Sequence, residues 1–168
     1  MAQLPPGDPA AGVRRLAPSA FPELPPPVRR DLLARGCRVP QAYDESRPHN
    51  VLRGSFTAAN RVEWAVLCSV RDTAAILVYD GRRGVVLDSL ARSSDAAWVR
   101  SVAGDQRGYS RRLSVLPGRA ISRWRIHDGE QDVAQPIDHD GITQAFAGKA
   151  AEAFYRSRGR WFRQATSD

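Results

Sequence analysis

The sequence predicts a single α+β domain, mainly antiparallel sheet with a short N-terminal helix. A chain of 168 residues is long enough for one domain with an ordinary hydrophobic core. From Asn50 onwards apolar and polar residues alternate with a period of two, which is typical of β-strands. Turn signals such as Asp80-Gly81 and Pro117-Gly118 separate the alternating runs. We therefore expect successive strands to pair in an antiparallel arrangement.

The N-terminal part predicts a flexible leader at residues 1–20 and a folded domain at residues 21–168. The leader is rich in proline, glycine and alanine and has no periodic apolar pattern. Pro25-Pro26-Pro27 open a short helix, because proline is tolerated in the first helical turn. Gly36 is a natural stop for that helix.

Two central runs predict the core of the sheet. The runs 62–70 and 75–79 are apolar on both faces towards their middles, which is typical of strands covered on both sides. The run 51–56 precedes them as a first strand, and the run 85–87 returns after the Asp80-Gly81 turn. Together these four segments predict an antiparallel meander.

The second half of the chain predicts shorter elements. Ser94 or Asp95 is expected to begin a short helix, because both residue types are good N-caps. The remaining expected elements are strands at 109–116 and 120–126, a loop with a short helix at 138–147, and a closing hairpin formed by 150–157 and 160–164.

The composition indicates a globular protein with a strong positive charge. The formal net charge is +7, and Lys149 is the single lysine among 25 basic residues. Positive charge favours anionic partners, but no nucleic-acid-binding motif accompanies it, so nucleic acid is not the expected ligand. No apolar run approaches the roughly 20 residues that a membrane span needs.

The N-terminal sequence bears on the compartment. The first 20 residues lack the apolar core of a signal peptide. Either the protein is cytoplasmic, or the numbering starts near a mature N-terminus from which the signal is already absent. Together with the cysteines, the Pro/Ala-rich start favours the second alternative, and we expect a periplasmic or secreted protein.

Cys37 and Cys68 are the cysteines of the chain, 31 positions apart. A disulfide between them would stabilise the fold by roughly 3–4 kcal/mol in the chain-entropy model. The alternative is two unrelated buried thiols, since free cysteine is common in cores. No CxxC motif or cysteine–histidine cluster is present, which argues against zinc or redox chemistry.

Asp138-His139-Asp140-Gly141 is the densest cluster of chemically active residues. Asp138 and Asp140, two positions apart before a glycine, are suited to bind calcium or another divalent cation. The alternative is that Asp140 caps a short helix at 141–147, with Asp138 favouring the positive end of that helix. No other cofactor is predicted.

Arginines of the later strands predict an anion-binding surface. Arg119, Arg123 and Arg125 alternate on one face of the expected strand at 120–126. Arginine beside aromatic residues suits phosphate, glycan or another polyanion. The alternative is an ordinary solvated strand face.

The remaining titratable residues form no catalytic pattern. His49, His127 and His139 are not grouped with a nucleophile in the sequence, and no serine lies in a GxSxG context. We interpret the histidines as surface or turn residues.

Several segments resemble a set of exported bacterial proteins of unknown function. The likeness covers most of residues 20–168, and the segments that carry it are 36–41, 50–56, 63–69, 138–142 and 146–150. It implies an exported protein and no particular activity. A second, local likeness is to one blade of FG-GAP or VCBS-type propellers, in which an acidic calcium loop precedes a strand. Here the corresponding loop, 57–61, lacks the acidic ligands.

The sequence therefore favours a non-enzymatic, extracytoplasmic binding or accessory module whose partner is an unknown protein or a polyanionic ligand. One alternative is a metal-assisted hydrolase that uses Asp138, His139 and Asp140. Another is an inhibitor of a secreted enzyme.

Overall fold

Antiparallel strands dominate the protein, in a computed structural model that describes residues 12–127, 136–146 and 151–166. The strands in chain order are β1 (Arg15–Leu16), β2 (Val39–Pro40), β3 (Val51–Gly54), β4 (Glu63–Val70), β5 (Thr73–Asp80), β6 (Val85–Ser94), β7 (Val99–Ala103), β8 (Gln106–Tyr109), β9 (Arg111–Leu116), β10 (Gly141–Phe146), β11 (Ala151–Ser157) and β12 (Arg160–Thr166). The α-helices are α1 (Pro26–Ala34) and α2 (Gly118–His127), and 3-10 helices span Pro18–Ala20 and Asp95–Trp98. The expected mainly antiparallel architecture is confirmed.

Two four-stranded sheets form the body of the domain. Sheet I has the order β3-β4-β5-β6, and sheet II has the order β12-β11-β10-β9. Smaller pairs, β1 with β2 and β7 with β8, flank them. One face of sheet I packs against α1, the other packs against sheet II, and α2 covers the far face of sheet II.

Strand β4 shows why sheet I is buried on both faces. Trp64, Val66 and Cys68 pack in the cluster beneath α1, whereas Ala65 and Leu67 pack in the cluster shared with sheet II. Burying one large apolar side chain contributes roughly 1.5–3 kcal/mol, so a strand with apolar residues in both phases is stable only between two layers. The period-two interpretation of 62–70 is confirmed.

A disulfide joins the α1 layer to sheet I. Cys37 follows Gly36, whose φ of +70° ends the helical segment, and Cys37 bonds Cys68 in β4 across a Cα–Cα distance of 5.3 Å. The predicted pairing is confirmed, and the two unrelated thiols of the alternative are not present.

Residues 12–20 belong to the folded domain, which differs from the expected leader boundary at residue 20. Leu16 pairs with Val39, and Pro18 is buried. Arg15 forms an ion pair with the fully buried Asp95 at 2.9 Å. Sequence patterning missed this segment because one strand pair and one ion pair leave no periodic signal. Residues 1–11 lie outside the described residues.

Two predicted elements are wrong in type. The expected strand at 120–126 lies in α2, where Ile121 packs with Leu116 and Tyr155 beneath the helix. The expected helix after Asp140 is instead β10, which pairs with β9 on one side and β11 on the other. In both cases tertiary pairing decided between patterns too short to distinguish by periodicity.

The two sheets meet along β3 and β9, at a boundary that we call the closed seam. The buried amide of Asn50 donates to the carbonyls of Pro40 at 2.8 Å and Arg111 at 3.1 Å. It also accepts from the Leu113 N–H at 2.9 Å. Asn50 adopts a φ of +68°, which asparagine tolerates better than most residues. One side chain thus satisfies three main-chain groups between the sheets.

Asp140 forms further hydrogen bonds across the closed seam. Its N–H donates to the Ser55 carbonyl at 2.7 Å, and its carboxylate accepts from the Ser55 N–H at 3.0 Å. The segment before β10 is thereby joined to the segment after β3.

Candidate functional site

The opposite edges of the sheets, β6 and β12, meet in what we call the open seam. The Trp161 indole N–H donates to the Asp88 carboxylate at 2.7 Å and bridges the two strands. Farther along β6 the strands enclose a cleft of about 290 Å³. We call it the bulge cleft, and its lining residues are Ala91, Arg92, Ser93, Trp98, Gln144, Phe146, Glu152 and Arg163.

A β-bulge shapes one wall of this cleft. Ser93 pairs with Ala74 and Leu90 pairs with Ile76, so the register between β5 and β6 slips around Ala91. Ala91 has a φ of +51°, the left-handed region that is unfavourable for a residue with a Cβ. Bulges re-aim side chains and are frequent beside binding and active sites, and local strain also concentrates there.

A buried arginine lies beneath the cleft. Arg111 is fully buried, and its guanidinium donates to Gln144 Oε1 at 2.9 Å, to the Ala91 carbonyl at 2.8 Å and to Ser93 Oγ at 3.3 Å. All three acceptors are neutral residues of the cleft lining. Among the described residues no carboxylate forms an ion pair with Arg111.

This environment makes the Arg111 charge unusual. Burial is the largest influence on its pKa and lowers it, opposed by Tyr109 and Asp95. Arginine nevertheless keeps its proton in proteins. Buried charges are ordinarily paired because desolvation is costly. The floor of the bulge cleft therefore carries a positive charge whose direct hydrogen-bond acceptors among the described residues are neutral, while Asp95 and Glu152 stabilise it without forming an ion pair.

Aromatic rings and a second arginine extend this arrangement. Trp98 stacks on Phe146 with ring centroids 4.1 Å apart. Arg111 lies 4.8 Å from the Trp98 ring, and Arg100 lies 4.3 Å from the Phe146 ring. Such contacts orient guanidinium and aromatic planes together. The Trp98 indole N–H donates to Ser93 Oγ at 2.9 Å, which fixes the ring against the bulge.

The opposite wall holds the acidic group of the cleft. Glu152 accepts from Gln144 Nε2 at 2.7 Å and from Arg163. Partial burial opposes ionisation of Glu152, but the hydrogen bonds from Arg163 and Gln144 outweigh it and lower its pKa. Arg92 forms no ion pair among the described residues. Three guanidinium groups therefore surround the cleft with one carboxylate, which leaves it positive.

Asp95 holds the helix that carries Trp98. Its side chain is fully buried and accepts from Ser69 Oγ at 2.5 Å and from Arg15. Its N–H donates to the Asp72 carbonyl at 2.8 Å. The N-terminal segment therefore takes part in positioning the aromatic wall of the cleft.

The predicted acidic cluster lies at the closed seam, away from the residues of the bulge cleft. His139 Nδ1 is 2.9 Å from Asp138 Oδ1, and its Nε2 is 2.7 Å from the Arg156 carbonyl. The hydrogen bond to His139 lowers the pKa of Asp138. Because Asp140 directly precedes a strand, β10, and its carboxylate accepts from the Ser55 N–H, its interpretation as a helix cap is wrong.

The metal alternative for Asp138 and Asp140 stays a prediction. Among the described residues, no group of three histidine, cysteine, aspartate or glutamate side chains could hold a metal ion. Calcium sites use six or more oxygen ligands, so water or main-chain carbonyls would have to supply most of them here.

The predicted arginine stripe lies on α2. Arg119 and Arg123 are both exposed and are one helical turn apart, so they share a helix face where a strand face was expected. The side chain of Arg125 lies outside the described residues. Anion binding by these arginines stays a prediction.

His49 has a local structural role. Its Nε2 accepts from the Ala42 N–H at 2.8 Å, and its Nδ1 lies 2.9 Å from the Arg47 carbonyl. Burial lowers its pKa. His49 thus organises the loop before β3, and among the described residues it forms no hydrogen bond with His139 or its neighbours. The His127 side chain lies outside the described residues.

Sequence reasoning missed the bulge cleft, although one signal was present. Arg111 stands two positions before Leu113, and both side chains are buried. A charge in phase with the apolar residues of a strand is a sign of a buried polar site, but the sequence does not show which acceptors surround it.

Comparison with known proteins adds nothing to this geometry: no family model, curated protein or solved structure matches the chain. Among the described residues no helix is both long and apolar enough to cross a membrane. Function is therefore inferred from the contacts of the chain itself.

Proposed function

We propose that the protein is a non-enzymatic, extracytoplasmic binding module whose bulge cleft takes a small anionic ligand. The buried guanidinium of Arg111, which donates to neutral acceptors beneath the cleft and forms no ion pair among the described residues, carries this proposal. A ligand carboxylate in the cleft would offset the excess of positive charge that Arg92, Arg111 and Arg163 leave over Glu152. Arg92 and Arg163 at the rim would meet it first.

The lining narrows the chemistry of the ligand. The cleft volume of about 290 Å³ is at the lower end of small-molecule sites. Trp98 and Phe146 favour a planar or apolar body, and guanidinium groups recognise carboxylates with two parallel hydrogen bonds. A small carboxylate attached to a flat apolar group combines both properties.

The cleft chemistry favours binding over the hydrolase alternative. The hydroxyl of Ser93 accepts from Trp98 and Arg111, and none of the described residues that line the cleft is a histidine. A nucleophile needs a base within hydrogen-bond reach, and among the described residues Ser93 Oγ forms no hydrogen bond with a carboxylate or a histidine. At the acidic cluster, both ring nitrogens of His139 already face acceptors, so no nitrogen is directed at a nucleophile.

The disulfide supports the extracytoplasmic part of the proposal. Disulfides persist in oxidising compartments and are rare in the cytosol of most organisms. The Cys37–Cys68 bond joins two layers of the fold, which suits a protein that works outside the cytoplasm.

Isothermal titration with benzoate and its neutral counterpart benzamide tests the proposal. We expect saturable binding of benzoate and much weaker binding of benzamide. The Arg92→Gln variant should lose about tenfold in benzoate affinity, which corresponds to about 1.4 kcal/mol. Arg38→Gln is the matched control, since Arg38 is also exposed and lies outside the cleft. Equal affinity for the acid and the amide would contradict the proposal.

A further inference from the structure

A second cavity lies at the other end of β6, at the β5–β6 hairpin. Its volume is about 440 Å³, and its lining residues are Asn60, Arg61, Val62, Glu63, Asp80, Arg82 and Arg83. Along β6 it is separated from the bulge cleft by roughly 20 Å, at about 3.3 Å per residue. The two cavities share no lining residue.

Both carboxylates of this second cavity are already used by the main chain. The buried Glu63 accepts from the N–H groups of Phe56 at 2.6 Å and Thr57 at 2.8 Å. Asp80 accepts from the N–H groups of Arg83 at 3.0 Å and Arg82 at 2.9 Å, and these bonds lower its pKa. Neither carboxylate forms an ion pair with a guanidinium among the described residues.

The three arginines outnumber these two carboxylates and, in the part of the chain that the structure describes, form no ion pair with them. Arg61, Arg82 and Arg83 are exposed, and none of their side chains is paired with a carboxylate among the described residues. They come from two loops, one before β4 and one after β5. Three guanidinium groups and two carboxylates leave an excess of positive charge at one concave surface, which favours anions.

The hairpin that carries Arg82 and Arg83 is held firmly. The Gly81 N–H donates to the Val62 carbonyl at 3.0 Å, and a Cβ on Gly81 would lie 2.7 Å from that oxygen. Gly84 has a φ of +66° and lies so close to Pro27 that a Cβ would be 2.5 Å from its main chain. A fixed loop binds a ligand with a smaller loss of conformational entropy.

A donor without a partner lies beside the same loop. The Trp64 indole nitrogen is buried and has no hydrogen-bond partner among the described residues. This nitrogen lies against Gly81: a Cβ added to Gly81 would be 3.1 Å from it. Gly81 stands between Asp80 and Arg82, which both line the cavity. Buried polar groups are ordinarily satisfied, so an acceptor is missing next to this cavity.

We infer that the arginines Arg61, Arg82 and Arg83 form a second binding site, for a phosphate or sulfate group. A tetrahedral oxyanion offers several acceptor oxygens to donors that approach from different directions, whereas a planar carboxylate is satisfied by one guanidinium. The group can be a free anion or can belong to a small phosphate monoester, and the cavity has room for the rest of such a molecule.

An NMR titration of the whole protein tests this site with inorganic phosphate, inorganic sulfate and glycerol 1-phosphate. We expect saturable shifts of the main-chain signals of residues 80–84. The Arg82→Ala/Arg83→Ala double variant should lose at least about tenfold in affinity. The bonds to Asp80 use main-chain N–H groups, so this variant keeps the turn, and its thermal midpoint verifies folding.

The control variant Arg38→Ala/Arg107→Ala removes the same charge from exposed positions that do not line this cavity. Retained phosphate binding in the control, with loss in the double variant, supports the site. Tighter binding of glycerol 1-phosphate identifies an esterified ligand, and equal binding identifies the free anion. Absence of saturable shifts at tens of millimolar anion, or equal losses in both double variants, overturns the inference.

Discussion

The two seams between the sheets differ in how they satisfy polar groups. At the closed seam, Asn50 and Asp140 bond main-chain groups of neighbouring segments directly. At the open seam, Trp161 and Asp88 form a single bridge, and beyond it a cleft separates β6 from β12. Arg111 connects the two, because its carbonyl accepts from Asn50 while its guanidinium underlies the cleft.

This contrast indicates that the closed seam serves mainly stability and the open seam mainly ligand binding. The polar groups of the closed seam are hydrogen-bonded within the chain. Substitutions there should therefore mainly lower the free energy of unfolding. Groups of the open seam retain strain at Ala91 and an excess of positive charge. Substitutions there should mainly change ligand affinity, since binding sites keep such unresolved features at the expense of stability.

Asn50→Ala should have the largest effect on stability. The substitution removes three hydrogen bonds to buried main-chain groups, of which the Pro40 carbonyl keeps the Gln41 amide as a second partner, and it places alanine, which tolerates positive φ less well than asparagine, at φ +68°. Unsatisfied groups cost about 1–3 kcal/mol each, so we expect a loss of about 4–5 kcal/mol in urea unfolding. Asn50→Gly relieves the backbone strain but does not restore the lost hydrogen bonds. It should therefore be about 1 kcal/mol more stable than Asn50→Ala. A loss below about 1 kcal/mol for Asn50→Ala would show that the closed seam does not depend on this side chain.

Removing the disulfide should lower stability without touching either seam. Cys37→Ala/Cys68→Ala opens a loop of 31 positions and should cost about 3–4 kcal/mol by the chain-entropy model. Benzoate affinity should stay within about twofold of the wild type, because the bond lies between α1 and sheet I. In the untreated protein, mass spectrometry should show the loss of two hydrogens. A tenfold change in affinity would mean that the α1 layer shapes the cleft.

Asp140 gives a graded test of the closed seam. Asp140→Ala removes the acceptor for the Ser55 N–H and should cost about 1–2 kcal/mol. Asp140→Asn keeps an acceptor oxygen and should cost less than about 0.5 kcal/mol. If Asp138 and Asp140 bind calcium instead, added calcium would raise the wild-type thermal midpoint and Asp140→Asn would abolish the shift. We expect no calcium-dependent shift.

Glu152→Gln at the open seam should have the smallest effect on stability, about 0.5 kcal/mol at neutral pH. The folded-state pKa of Glu152 is lowered, so its ionised form stabilises the fold above the unfolded pKa. That contribution is lost as the pH falls through the lower folded value. The stability difference between wild type and variant should therefore shrink below about pH 4. A difference that persists at lower pH would argue against the ion pair with Arg163.

How much the sequence predicted depends on the range of the interactions involved. The two faces of β4 were predictable because alternating apolar residues report local geometry. The sequence did not show that α2 is a helix and β10 a strand. Ile121 and Ile142 are buried because of the order of strands in sheet II, which local patterning does not report.

The candidate site was harder still to predict. Arg111, Ala91 and Gln144 lie far apart in the sequence and meet only when sheet I and sheet II pack together. The positive φ of Ala91 has no sequence signal, because alanine is not a residue that favours that region.

The most direct test of the open seam as the binding site is a ¹H–¹⁵N spectrum of the tryptophan indole groups during titration with benzoate. Trp98 lines the cleft, and Trp161 lies at the bridge beside it. Trp64 lies beside the second cavity, so its indole signal reports any binding of the carboxylate there. Single Trp→Phe variants assign the signals. We predict that the Trp98 and Trp161 indole signals shift saturably with benzoate but not with benzamide, while the Trp64 signal does not move. Shifts of Trp64 alone, or equal shifts with the acid and the amide, would contradict the account.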